Sequence, residues 1–174
     1  MEVREATKND IDSIAKIYEN IHDEEEKGLV TIGWIRNIYP TRRTAEDAFK
    51  RKDLFVMEDE GKIVAAAIIN QIQVDEYKYA PWKHSAKDNE IMVLHGLVVD
   101  PHQKSKGYGK AFVSFYENYA KRHNCITLRM DTNARNARAR SLYQRLGYEE
   151  IGIVKCVFNG IPDVQLVCLE KYLG

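Results

Sequence analysis

The sequence predicts an α+β fold, a mixed α/β arrangement wound around one central sheet, and three observations predict it. Short runs rich in β-branched residues alternate with helical-period segments. One run, Ile91 to Val99, is almost continuously apolar, as a strand buried on both faces requires. The 174 residues are 44% hydrophobic and 30% charged, which supports one packed core and excludes disorder. Residues 1–174 therefore read as one domain.

Val3 to Ala6 is short and fits an edge strand. Thr7 or Asp10 then opens a helix whose Ile11, Ile14, Ala15, Ile17, Tyr18 and Ile21 keep the 3.6 period. His22 to Lys27 is acidic and reads as a solvated helix end before Gly28. After an irregular stretch with Trp34 and Tyr39, Thr44 is placed to cap a helix running to Arg51. Leu54 to Met57, the turn Asp59-Glu60-Gly61-Lys62, and Ile63 to Ile72 form a hairpin. Asp75 to Asn89 is a polar insertion studded with aromatics. The buried strand Ile91–Val99 follows. A Gly- and Lys-rich turn then leads into a helix from Tyr108 to His123, with Phe112, Phe115, Tyr116 and Tyr119 on one side. Ile126 to Met130 is a strand. Asn136 opens a helix that Gly147 ends, and Tyr148–Phe158, Asn159-Gly160 and Val164–Leu169 form a closing hairpin.

Charge and composition exclude several classes. Lys plus Arg and Asp plus Glu are 26 each, so the net charge is zero, which argues against coating nucleic acid. No apolar run approaches the roughly 18 residues of a membrane span, so no membrane partner is expected. The polar, acidic start is unlike a signal peptide. Three cysteines, Cys125, Cys156 and Cys168, with no CxxC pair, give neither a disulfide framework nor a metal site. A cytoplasmic protein is expected.

The segment after the buried strand carries the chemistry. The chain turns through Lys104-Ser105-Lys106-Gly107-Tyr108-Gly109-Lys110 into a helix. Glycines let backbone N–H groups face outward at the positive end of a helix, an anion site suited to a pyrophosphate. The residues after Gly109 break both the Walker and the dinucleotide patterns.

In this setting the chain resembles the GNAT superfamily of acyl-CoA-dependent N-acetyltransferases. Its [QR]-x-x-G-x-[GA] turn is matched by Lys104 to Gly109, with Lys104 in place of Arg or Gln. Its N-x-x-A-x-x-L-Y-x-x-x-G-[FY] pattern is matched by Asn136, Ala139, Leu142, Tyr143, Gly147 and Tyr148, and the order of elements agrees along the chain. Lysine at position 104 keeps the charge and lacks the planar fork of arginine. The resemblance implies a sheet that is mostly antiparallel and splayed at the cofactor site. It implies acetyl-CoA as cosubstrate, its pyrophosphate on the backbone of Lys104, Ser105, Lys106, Gly107, Tyr108, Gly109 and Lys110. Its pantetheine arm would pair with Leu97, Val98 and Val99, and Asn136 and Ala139 would face it. Gly96 suits such a close approach. A small-molecule or peptide amine is the implied acceptor, and many relatives pair as homodimers.

Acetyl transfer needs a neutral amine, a stabilised oxyanion and a proton for the leaving thiolate. Tyr143, at i+7 from Asn136, stands at the position where the family places its thiolate acid. His95 is the candidate base, expected to share one side of the strand with Val93, Leu97 and Val99; Glu90 and a water are its rivals. Trp34, Tyr39, Tyr77, Tyr79 and Trp82 are acceptor-pocket aromatics or local anchors, and Asp23 to Glu26 either a solvated face or an attraction for a basic acceptor. Arg135 and Arg138 can help neutralise cofactor phosphates. The competing class is a catalytically silent acyl-CoA sensor or interaction module.

Overall fold

The computed structural model of the protein describes residues 1–103 and 106–174. The elements run β1 (Glu2–Glu5), α1 (Ile11–Glu26), α2 (Arg42–Arg51), β2 (Leu54–Asp59), β3 (Lys62–Asn70), β4 (Ile91–Val99), α3 (Tyr108–Arg122), β5 (Thr127–Asn133), α4 (Ala137–Arg145), β6 (Glu149–Phe158) and β7 (Ile161–Tyr172). One seven-stranded sheet has the order β1-β2-β3-β4-β5-β7-β6. All neighbours are antiparallel except β4 and β5, which run parallel with α3 as the crossover. The expected fold class and order of elements hold.

Each face of the sheet is covered by two helices, because each helix has one apolar side to bury. Phe112, Val113 and Tyr116 of α3, with Tyr143 of α4, pack on Met92, Leu94, Leu128 and Met130. Ile11, Ile14, Ile17, Tyr18 and Ile21 of α1, with Ala45 and Ala48 of α2, pack on Leu54, Val56, Ala66, Ile68 and Val98. At roughly 1.5–3 kcal/mol for each large apolar side chain buried, these two layers supply most of the cohesion. A third cluster joins Ile91 and Val93 to Val164, Leu166 and Cys168 under the 73–90 connection.

Three local expectations are corrected. The cap of α2 is Thr41, and Thr44, at the third helical position, accepts the Thr41 N–H on its hydroxyl at 3.0 Å. The end of α1 is not simply solvated: His22 and Glu24 are buried, and Glu25 accepts the backbone N–H groups of Ile32 at 2.6 Å and Gly33 at 2.9 Å. The β5 strand runs three residues past Met130, because Asp131, Thr132 and Asn133 pair with β7.

Candidate active site

Strands β4 and β5 share four rungs, from Ile91–Thr127 to Leu94–Met130, and then part. Below the split, the Tyr116 hydroxyl sits 2.6 Å from the Met92 carbonyl and 3.2 Å from that of Arg129, donating to the nearer and tying the two strands. Above it, β5 stays with β7 while β4 stays with β3, so the facing edge of β4 from His95 onward has no strand partner. A cavity of about 1330 Å³ fills the gap. Among its lining residues are His95, Leu97, Val98, Val99, Lys106, Gly107, Tyr108, Gly109, Lys110, Asn136, Ala139 and Tyr143, so one space gathers all these expected site residues. Lys104 and Ser105 lie outside the described residues.

On the face of α3 and α4 the cavity offers a cradle for an anion. Gly107 is the N-cap of α3 with φ 76°, a left-handed conformation costly for other residues. Among the described residues, nothing lies within 4 Å of where a Cβ there would sit. Gly109 serves a different need: a Cβ on it would come within 3.1 Å of Leu142 Cδ2, so its bareness lets α3 approach α4. The Tyr108 hydroxyl donates to Asp59 at 2.6 Å and anchors the turn to the β2–β3 hairpin. Asn136 caps α4 by accepting the Ala139 N–H at 3.1 Å.

His95 does not share a side with Leu97 and Val99. Val98 pairs with Ala66 and His95 with Ile68, so Gly96 and Leu97 together oppose Ala67 in a bulge. Gly96 has φ 57° there. Leu97 and Val99 pack with Met92 and Leu94 toward α3, whereas His95 follows Ile91 and Val93 on the opposite face. Its Nε2 lies 3.0 Å from Asn70 Oδ1, and the Asn70 amide donates to Asp53 at 2.8 Å. Burial holds the imidazole down at about 4, so it is neutral at pH 7. Glu90 lies before the first residue of β4, capping a short 3-10 turn through the Lys87 N–H at 2.9 Å, and does not line the cavity.

Asp131 is the residue that sequence reasoning missed. It follows the last shared rung on the β5 side, as His95 does on the β4 side. Burial pushes its carboxyl up to about 6, against a hydrogen bond from Tyr77 at 2.7 Å that favours the ionised form. The nearby Tyr143 hydroxyl is raised well above the usual phenol range, by burial first and by the Asp131 charge second. The Tyr39 hydroxyl is raised by the same two causes, and it stands 3.0 Å from where a Gly96 Cβ would sit. The signal available was the strand pattern: a lone acid in Thr127-Leu-Arg-Met-Asp131 is out of place on a buried strand unless it has work or a partner.

The loop aromatics divide. Trp34 and Tyr39 line the cavity, edge to face at 5.8 Å. Tyr77 stands behind Asp131, Trp82 lies under the Arg129 guanidinium at 4.1 Å, and Tyr79 is on the surface. Arg36 ties Asp23 and Glu26 at 2.6 and 2.8 Å and Lys27 reaches Glu24 at 3.8 Å, so three of the four acidic residues are ion-paired. The segment that follows crosses the cleft: the Thr31 hydroxyl donates to the Arg135 carbonyl at 3.0 Å, and Gly33 packs so close to Asn133 that a Cβ would fall 2.5 Å from Nδ2. Arg138 lines the cavity, whereas Arg135 contributes this carbonyl. Among the described residues no cluster of His, Cys, Asp or Glu is grouped to hold a metal ion. No helix among them is long and apolar enough to cross a membrane.

The unpaired strand edge, the glycine-capped helix end and the cations Lys106 and Lys110 fit a ligand with a diphosphate at one end and an amide-bearing arm at the other. The chain is 37% identical over 70 residues to the uncharacterized N-acetyltransferase YhfO of Bacillus subtilis, a match covering 40% of this chain and 47% of that one. A second curated relative is spanned over 62% of its length, so the chain matches about half to two thirds of these relatives. Its fold is that of a GNAT-family acetyltransferase from Streptococcus agalactiae, with a TM-score of 0.82 at 20% identity, covering 98% of this chain and 94% of the other. It is also that of yncA from Salmonella typhimurium, solved with acetyl-CoA, with a TM-score of 0.72 at 17% identity over 100% and 94% of the two chains. The model of the Acetyltransferase (GNAT) family matches residues 14–148, and the chain belongs to that family.

Proposed function

We propose that residues 1–174 act as one acetyl-CoA-dependent N-acetyltransferase domain, moving an acetyl group to a primary amine of a small molecule or peptide by direct attack. The observation that carries this reading is the split above Leu94–Met130, which sets an unpaired strand edge, Asp131 and Tyr143 around one cavity. Lys106 to Lys110 would hold the pyrophosphate, the edge from Leu97 to Val99 the pantetheine arm, and Asn136 and Ala139 the wall beside it. The bound thioester supplies the acetyl group and the leaving thiol.

This chain's own groups handle the protons. An alkylammonium has a pKa near 10.4 and must lose a proton before its nitrogen can attack. Asp131 Oδ, with its pKa lifted to about 6, is ionised at pH 7 yet far more basic than an ordinary carboxylate. It takes that proton. The nitrogen forms its bond to the acetyl carbon, the carbon–sulfur bond breaks, and the Tyr143 hydroxyl gives its proton to the departing sulfur. The proton that the nitrogen sheds on becoming an amide passes through solvent to the Tyr143 oxygen, and Asp131 releases its own to solvent. His95, neutral and fixed by Asn70, borders the acceptor side as the second basic group. Its three free cysteines suit a reducing compartment such as the cytoplasm.

Calorimetric titration with acetyl-CoA, CoA, ATP and NAD in parallel tests the cofactor. Selective binding of the two CoA species is expected, and thiol release with an amine panel should follow. No binding of acetyl-CoA at millimolar ligand would overturn the reading. Binding with no turnover on any amine would make the chain an acyl-CoA sensor.

A further inference from the structure

Resting on the transferase reading, we propose that the acceptor is a primary amine carried on an apolar or aromatic body, with no carboxylate beside the reacting nitrogen. The acceptor half of the cavity is the part opposite α3 and α4. Trp34, Tyr39, Phe158 and Ile161 wall it, with Asp131 and His95 at the split. The Trp34–Tyr39 pair presents an edge and a face that suit an apolar chain or ring, and the same rings attract an ammonium. Asp131 supplies a negative charge at the point where the nitrogen must arrive.

The cations point the same way. Among the described residues lining the cavity, Lys106 stands just before α3, Lys110 in its first turn, and Arg138 and Arg145 on α4, all in the donor half. The remaining lining arginine, Arg51, is engaged by both oxygens of the buried Asp53, at 2.9 and 3.2 Å. An amino acid would therefore bring its carboxylate into the space walled by Trp34, Tyr39, Phe158 and Ile161, beside Asp131, with no free counter-ion among the described residues. That arrangement combines the desolvation of a charge with repulsion from a like charge. An amine lacking the carboxylate, or carrying it as a neutral amide, meets neither penalty.

The test uses phenethylamine, phenylalaninamide and phenylalanine as acceptors for the full chain, read as thiol release at saturating acetyl-CoA. Phenethylamine and the amide are expected within about tenfold of each other in kcat/KM, with phenylalanine lower by about 100-fold or more. Phenylalanine is also expected not to inhibit acetylation of phenethylamine. Equal or preferred use of phenylalanine would overturn the proposal, as would an amide as poor as the acid, since size rather than charge would then decide. Acetyl-CoA binding is measured by calorimetry on the same sample. Binding without acetylation of phenethylamine sinks the acceptor class alone, whereas no binding sinks the transferase reading beneath it.

Discussion

The Tyr77 hydroxyl donates to Oδ2 of Asp131 at 2.7 Å, joining the long connection before β4 to the β5 side of the split. The connection is itself pinned: Arg129 reaches the His84 carbonyl at 3.1 Å, and the buried Glu170 accepts the Lys83 N–H at 3.0 Å. Asp131 is thereby aimed by one fixed donor, and on the function proposed above its other oxygen takes the substrate proton.

Asp131→Asn is expected to lower kcat/KM at pH 7 by about 100-fold or more and to remove an acidic limb near pH 6. The same change should stabilise the protein at pH 7–8. A carboxyl raised from 3.8 to about 6 holds its proton more tightly when folded, so its cost to stability grows as pH rises through that window. The amide abolishes a cost of about 3 kcal/mol, and melting curves should converge with the parent near pH 3.5. Lower melting temperatures at pH 8 would count against a strained carboxylate.

Tyr143→Phe should lower kcat by about 10- to 100-fold while calorimetry gives an acetyl-CoA affinity within about twofold of the parent. The ring packs edge to face on Tyr148 at 6.0 Å, and phenylalanine preserves that packing. An unchanged kcat would take the hydroxyl out of the proton transfer.

The motif halves of this site were legible in the sequence because they are local. Gly107 and Gly109 announce a helix entry, and Asn136 to Tyr143 announces one helix face. Asp131 was not legible, because its meaning depends on where β4 leaves β5, a non-local event that no spacing encodes. The side of His95 was misread for a related reason: strict alternation holds until a bulge, and Gly96 gave only a hint of one.

His95→Gln separates the two bases. With its pKa held near 4, His95 does not titrate between pH 6 and 8, so the variant should keep the limb near pH 6 and lose about tenfold or less in kcat/KM. Its effect on stability has the opposite pH sense. A histidine lowered from 6.5 to about 4 favours the fold fully above 6.5, and that support fades as pH falls toward 4. Urea midpoints of the variant should therefore depend less on pH between 7 and 4.5, by about 2 kcal/mol. Loss of the limb near pH 6 would transfer the base from Asp131 to His95.

Gly107→Ala isolates the anion cradle. With nothing among the described residues within 4 Å of the added methyl, the expected cost to stability is that of the positive φ, about 1 kcal/mol. The methyl stands before the helix end, so acetyl-CoA affinity is expected to fall by about tenfold or more. A variant that binds normally would move the pyrophosphate away from this turn.

The extra residue at Gly96 changes the parity of β4 partway along its length. Odd-numbered residues before it face the side of Tyr77 and Val164, and odd-numbered residues after it face α3, the sides proposed above for acceptor and donor. One uninterrupted strand thus floors two sites under opposite counting rules. Substitutions at His95 bear on one side of the strand without crossing to the other, whereas loss of a single residue at the bulge would exchange the two faces beyond it. Acceptor choice on this scaffold can drift by point mutation with the donor site intact, but not by slippage of the strand.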